Sequence, residues 1–235
     1  MLILLNINWF YVLIFTTVVS FCIFFIKIYK FLNKKALFVI ISGPPAIGKN
    51  TVYQYLIDNL KHKNIDVNFI KSYTTRKKRN KSDGDSYHFI SKYEFDCKIK
   101  NNHMLEYVIN PNNGEYYGFA ISDIKRNIFL KRISIVLPTY NFLLELKEYI
   151  KKNNIKNCEI ISIYLLPASI DDIKERIKIR NTENKEEMER RINSVENDIK
   201  TSSFYDIKII NYTSYETAIL LNDQIIQKLH DIGNL

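Results

Sequence analysis

The sequence predicts an α/β fold built on a parallel sheet of five strands with helices on both faces. Two observations carry that expectation. Short apolar runs recur at 36–41, 67–72, 133–137, 159–166 and 206–210, and segments of helical periodicity separate them. Runs of roughly four to eight apolar residues between turn signals suit strands buried on both faces. The runs also stop at turn residues: the first at Ser42-Gly43-Pro44, the third at Pro138, the fourth at Pro167. In open parallel sheets, ligands collect at the carboxyl ends of the strands, so those stops mark the place to look for chemistry.

The chain opens with an apolar segment. Met1 to Ile26 contains no Asp, Glu, Lys or Arg, and it exceeds the roughly 18 apolar residues that suggest a bilayer span. Lys27, Lys30, Lys34 and Lys35 follow it directly, a flank that stays cytosolic by the positive-inside rule. A cleaved signal is the rival reading, but there is no basic n-region and no small-x-small cleavage site. A third reading is a bipartite address to an organelle. The anchor is preferred, so residues 1–35 form an anchor with a basic flank. Residues 1–26 contact the membrane, and a cytosolic domain fills 36–235.

The first strand, Ala36 to Ile41, leads into Gly43-Pro44-Pro45-Ala46-Ile47-Gly48-Lys49-Asn50-Thr51 and then a helix over 51–62. Gly-x-x-x-x-Gly-Lys between strand and helix is the pattern of a phosphate-binding loop. Its glycines let backbone N–H groups close on phosphate oxygens, its Lys adds a point charge, and the helix N-terminus adds partial positive charge. The strict pattern has Ser or Thr after the Lys to hold Mg²⁺; Asn50 stands there, with an amide oxygen in place of a hydroxyl.

The second strand is expected over Val67–Ser72. Behind it, Ser72 to Phe89 carries Arg76 and Arg79 among Lys77, Lys78 and Lys81. Guanidinium forks of this kind grip phosphate bidentately. Asp83-Gly84 signals a turn, and short strands are expected at 87–90, 104–109 and 115–119, with a helix over 92–101. This insert reads as a substrate-binding lobe of mixed strands. Helices follow at 122–131 and 142–151 around the third strand. Behind the fourth strand, Ser169 is the N-cap of a helix with Asp171 and Asp172 in its first turn. A charged helix over 185–200, the fifth strand and an amphipathic helix over 214–230 close the chain.

Thirty-four basic against 25 acidic side chains leave a net charge of +9, which suits nucleotides, nucleic acid or an anionic membrane face. Cys22, Cys97 and Cys158 form no Cys-x-x-Cys pair, so neither a disulfide framework nor a zinc site is indicated.

Taken in order, these motifs resemble the guanylate kinase family, from about Phe38 to about Leu229. The loop is followed by Ser-x-Thr-Thr-Arg-x-x-Arg at Ser72, Thr74, Thr75, Arg76 and Arg79. Asp-Gly-x-x-Tyr-x-Phe follows at Asp83, Gly84, Tyr87 and Phe89, then Glu106, then Tyr116-Tyr117-Gly118. Leu166, Pro167, Ser169, Ile173 and Arg176 match a later Leu-Pro motif, and Arg180 and Arg191 match the lid arginines. The resemblance implies a P-loop nucleoside-monophosphate-kinase-like fold, with a monophosphate-binding lobe over 73–120 and a lid over 176–191. It implies ATP-dependent phosphorylation of GMP to GDP, with dGMP as a further acceptor and Mg²⁺ entering with ATP.

By the same resemblance, Lys49, Arg76, Arg180 and Arg191 are the catalytic set. ATP falls to Gly43, Ala46, Ile47, Gly48, Lys49, Asn50, Thr51 and Arg176. GMP falls to Ser72, Arg76, Arg79, Tyr87, Glu106, Tyr117 and Thr139, and Mg²⁺ to Asn50. The chain departs from the family where Leu137 and Thr139 replace an Asp-x-Asp pair and Phe119 replaces a Ser or Thr facing the guanine oxygen. It departs again at Ala46, in place of a loop Gly, and at Tyr212, in place of an Asp. Two functional classes therefore stay open: a kinase, or a catalytically weak relative kept as a binding or scaffold module at a membrane. Nucleic acid is not expected as a partner, because the basic Arg76–Lys81 loop lacks interleaved aromatics.

Asn80-Lys81-Ser82 and Asn211-Tyr212-Thr213 are glycosylation sequons. A cytosolic domain carries no sugar at either; glycopeptides at Asn80 or Asn211 in the native protein would overturn the topology.

Overall fold

The computed structural model describes residues 9–78, 86–110, 114–138, 140–180 and 185–235, with the side chains of Arg180 and Arg191 outside that description. Its first element is a helix, α1 (Trp9–Asn33). From Tyr11 to Asn33 it is long and apolar enough to cross a membrane, with a mean hydropathy of 2.3 and no part buried by the rest of the chain. Two residues later comes β1 (Ala36–Ser42), buried along its whole length.

β1 is the centre of a five-stranded parallel sheet with β2 (Asn68–Phe69), β7 (Ile133–Val136), β8 (Cys158–Leu166) and β9 (Ile207–Ile210), in the order β2-β7-β1-β8-β9. It pairs with β7 from Leu37↔Ile133 to Ile40↔Val136 and with β8 from Ala36↔Cys158 to Ser42↔Tyr164. Alternate side chains of a strand point to opposite faces, so β1 feeds two separate cores. Leu37, Val39 and Ile41 pack with Leu56 and Leu60 of α2 (Lys49–His62) and Leu221 and Ile225 of α8 (Ser214–Asp231). Phe38 and Ile40 pack with Ile124 of α4 (Ile121–Phe129) and Phe142 and Leu146 of α5 (Tyr140–Lys152). Each such fully buried side chain contributes about 1.5–3 kcal/mol by leaving water. The five-stranded sheet and its two-faced cover are as the sequence predicts.

The run 67–72 is not one strand. Asn68 and Phe69 pair with β7 at the sheet edge, whereas β3 (Ser72–Thr74) belongs to a second sheet. Only Val67, Phe69 and Ile70 are apolar in this run. An edge strand is held from one side only, so little enforces its length, and the chain leaves for the lobe at Lys71. The second sheet has the order β4-β3-β6-β5, with β4 (Tyr87–Phe89), β5 (Met104–Ile109) and β6 (Tyr116–Ala120). β3 runs parallel to β4 and antiparallel to β6, and β5 is antiparallel to β6; this is the mixed lobe.

Behind the lobe lies α3 (Lys92–Lys100), started by a capping box. Glu94 N donates to Ser91 Oγ at 3.1 Å while Ser91 N donates to Glu94 Oε2 at 2.8 Å. These bonds satisfy orphan donors of the first turn and hold the Glu94 carboxyl below its usual range. Ser169 caps α6 (Ile170–Arg180) through Asp171 N at 3.1 Å. α7 (Lys185–Lys200) and a 3₁₀ turn (Thr201–Phe204) then lead to β9.

Candidate active site

At the carboxyl end of β1 the chain must turn under the sheet. A side chain on Gly43 would put Cβ 2.7 Å from the Leu165 carbonyl oxygen, so only glycine fits there. Gly48 has φ of 95° and is the N-cap of α2, a left-handed conformation that glycine adopts without strain. Ala46 also lies at positive φ, 60°; at this position the loop holds a Cβ in a conformation that costs about 1–2 kcal/mol.

The loop is pinned from β9 by Asn211, which is buried. Its Nδ2 donates to the Ile47 carbonyl at 2.6 Å, its Oδ1 accepts from Thr217 Oγ1 at 2.7 Å, and its backbone N donates to Leu166 O at 2.8 Å. One residue thus joins loop, β8 and α8. Lys49 Nζ donates to the carbonyls of Gly43 and Pro44 at 2.8 and 2.9 Å. The ammonium therefore sits over the mouth of its own loop.

Two cavities meet there. One, of about 400 Å³, is lined by Ala46 to Thr51 and Arg176. The other, of about 490 Å³, opens between the loop and the lobe. Ala46, Lys49 and Asn50 line both. The second cavity gathers Ser72, Arg76, Tyr87, Glu106 and Tyr117 from four strands or their ends. Arg76 is only 7% exposed. Its guanidinium carbon lies 5.0 Å from the Tyr87 ring centroid and 5.5 Å from that of Phe89, and one nitrogen donates to Lys77 O at 2.9 Å. Stacked on two rings, the fork is oriented before any anion arrives. Tyr117 donates to Glu115 Oε2 at 3.0 Å. Burial, helped by that bond, pushes its hydroxyl up to about 12, so it stays a neutral donor at any physiological pH.

Glu106 is buried on β5, opposite Phe119 of β6, beside a bulge between Met104 and Glu106. A Cβ on Gly118 would lie 2.5 Å from the Glu106 carbonyl, so the two backbones approach closely here. Phe119 packs on Phe142 at 4.6 Å between centroids. With Leu137 it makes this end of the cavity apolar.

Of the residues the sequence singles out, Gly43, Ala46, Ile47, Gly48, Lys49, Asn50, Thr51 and Arg176 meet at the loop. Ser72, Arg76, Tyr87, Glu106 and Tyr117 meet in the adjoining cavity. Arg79 and Thr139 lie outside the described residues, as do the side chains of Arg180 and Arg191. Two residues escaped the sequence reading. Asn211 is noticed there only as part of a sequon, next to the altered Tyr212, and nothing in the sequence shows that it reaches back to the loop. Asp198 stands in a charged helix like any solvated acid, yet it lines the second cavity. Burial raises its carboxyl above the usual range, against the Ser194 hydroxyl and the Lys49 ammonium, which pull it down.

A family model described as "Guanylate kinase" matches residues 35–228. The chain belongs to the guanylate kinase family. It is 33% identical over 199 residues to a guanylate kinase of Malacoplasma penetrans, covering 84% of this chain and 96% of the relative. It is 35% identical over 187 residues to one of Mycoplasmoides gallisepticum, covering 79% and 90%. Against one of Protochlamydia amoebophila the identity is 31% over 204 residues, covering 86% and 95%. The solved guanylate kinase of Anaplasma phagocytophilum superposes with a TM-score of 0.61 at 18% identity, covering 83% of this chain and 87% of that one, which is agreement in fold. The guanylate kinase fold thus accounts for the core sheet and the lobe. The matched segment begins at residue 35, so α1 lies ahead of it.

Among the described residues no group of three or more His, Cys, Asp or Glu could hold a metal ion. That donor set suits Mg²⁺ only in its usual nucleotide mode, where phosphates and water supply most ligands and the protein one or two oxygens. The exposed amide of Asn50 and the carboxyl of Asp198 both line the cavity where such phosphates would lie.

Asn211→Ala should leave the Ile47 carbonyl and the Thr217 hydroxyl without their partner, at about 1–3 kcal/mol. Urea unfolding of the variant measures this; an unchanged midpoint would remove Asn211 as the loop's clamp.

Proposed function

We propose that this chain is a nucleoside monophosphate kinase that transfers the γ-phosphoryl group of ATP to GMP, giving ADP and GDP. The observation that carries the reading is the meeting of the two cavities at Lys49 and Asn50. ATP phosphates on the loop and a monophosphate held by Arg76, Tyr87, Tyr117 and Ser72 come face to face there. An acceptor phosphate oxygen attacks the γ-phosphorus, and the bond from that phosphorus to the bridging oxygen breaks in line. The acceptor is already an anion, so no general base is needed; positioning and positive charge do the catalysis. Lys49 supplies charge on the β and γ phosphates. Arg76 anchors the acceptor, and Arg79 adds to its grip. Arg176, Arg180 and Arg191 close over the transferring group from the lid. Asn50 and Asp198 are the protein oxygens that would hold Mg²⁺ and its waters, and the ion would supply further positive charge to the phosphates.

Glu106 selects the base. Guanine presents its N1–H and amino group to a carboxylate, whereas adenine presents a lone pair at N1. With Phe119 and Leu137 apolar, Glu106 is the charged reader at that end, and Thr139 is a further base contact. The same logic admits dGMP, whose base is identical. α1 anchors the kinase domain to a membrane, with the domain on the cytosolic side.

Lys49→Ala should abolish ADP formation from ATP with GMP in a coupled assay of the full chain. Turnover by the wild-type chain on none of GMP, dGMP, AMP and UMP, with nucleotide binding retained, would favour a binding module instead. Glu106→Gln should cut kcat/KM for GMP by about 10–100-fold, the loss of a charged hydrogen bond, and leave AMP use near its starting level. An unchanged GMP-to-AMP ratio would remove Glu106 from base selection.

A further inference from the structure

The end of the core sheet opposite the phosphate loop carries a basic face. Every strand in this sheet is parallel, so the strand starts and the helix ends collect on one side. Ala36 N bonds to Asn157 O at 2.9 Å and Leu37 N to Arg132 O at 3.0 Å, which brings the starts of β1, β7 and β8 together. α2 has Lys61 in its last turn and is followed by Lys63; α5 ends in Lys151 and Lys152 and is followed by Lys156. All five are exposed. Lysines at helix C-termini complement the helix dipoles, and the parallel topology gathers them on one face. The carboxylates of the same segments are Asp66, Glu159 and Asp231. Glu159 is bridged by Lys35 at 2.8 Å and Lys228 at 3.1 Å, and those bonds hold its carboxyl below its usual range.

α1 arrives at this face without slack. It ends at Asn33, and β1 begins at Ala36. Lys131 Nζ donates to the carbonyls of Phe31 and Leu32 and lies 5.1 Å from the Phe31 ring centroid. Lys35 is tied to the C-terminus by Asn234, whose Oδ1 accepts from Lys35 N at 3.0 Å and whose Nδ2 donates to Lys35 O at 2.7 Å. Two linking residues reach at most about 7 Å, less than the Debye length of about 8 Å at physiological salt.

We propose that this basic face rests on the anionic phospholipid headgroups of the bilayer that α1 enters; the inference rests on α1 being a span. The lipid surface then fixes the domain's orientation, not only its location. The phosphate loop lies one full strand away, about 23 Å for seven residues, beyond the reach of the headgroup charge. Anionic nucleotides reach the site from the side facing away from a like-charged surface.

The test is amine acylation of the full chain in lipid nanodiscs, read residue by residue by mass spectrometry. Discs contain phosphatidylcholine alone or with phosphatidylserine. Negative surface potential keeps a nearby lysine protonated and slow to react. Lys61, Lys63, Lys151, Lys152 and Lys156 should each react about fivefold more slowly on the anionic discs, and high salt should erase the difference. Lys178 on α6 should react alike on both. Equal rates at the five basal lysines, with the chain retained in the discs, would overturn the inference and leave the anchor standing. Discs of neither composition retaining the chain on gel filtration would remove the span, and this inference with it.

Discussion

The rest of the molecule depends on β1 being paired along both edges and dry on both faces. A strand in that position has no freedom of register, so its last residue fixes where the chain must turn. Ser42 bonds to the Pro138 carbonyl at 3.1 Å, and Gly43 passes the Leu165 carbonyl with no room for a side chain. The loop therefore starts from an immovable point. Asn211 fixes its far side. Backbone donors must be preorganised if they are to stabilise a transferring phosphoryl group without reorganising during the step. The core achieves this by packing on β1, and Asn211 by its hydrogen bonds.

What the sequence makes legible follows from that hierarchy. Strands buried on both faces are written as apolar runs, so β1, β7 and β8 emerge from pattern alone, and the half-exposed edge strand β9 emerges from its isoleucines. The other edge strand, β2, does not, because β2 and β3 share one stretch of mixed polarity and belong to different sheets. The residues that line the two cavities are legible where their signal is local: a Gly-rich turn, a Lys, an Arg in a polar loop. Asn211 and Asp198 are illegible because their significance is long-range. Asn211 lies 164 positions from its loop partner, Ile47, and Asp198 is set apart from its neighbours on α7 only by the cavity it faces.

The two ends of the cavity between loop and lobe differ in what surrounds them. At one end Arg76 is stacked on Tyr87 and Phe89, with Tyr117 in the same cavity. The other end is apolar, lined by Phe119 and Leu137, and Phe119 is part of the core against Phe142. A hydroxyl placed at 119 would remove part of the hydrophobic core, so polarity and packing at this position cannot be tuned independently.

The direct junction between α1 and β1 also has a mechanical meaning. A force that draws α1 away from the domain loads β1 along its own axis. Because β7 and β8 run parallel to it on either side, the hydrogen bonds of both ladders share the load in shear instead of opening one after another. The central strand, the hardest to extract, is thus the first to feel the pull. A pull through α1 must therefore break the core in a single event, whereas a pull from the C-terminus can peel α8 and the edge strand β9 first.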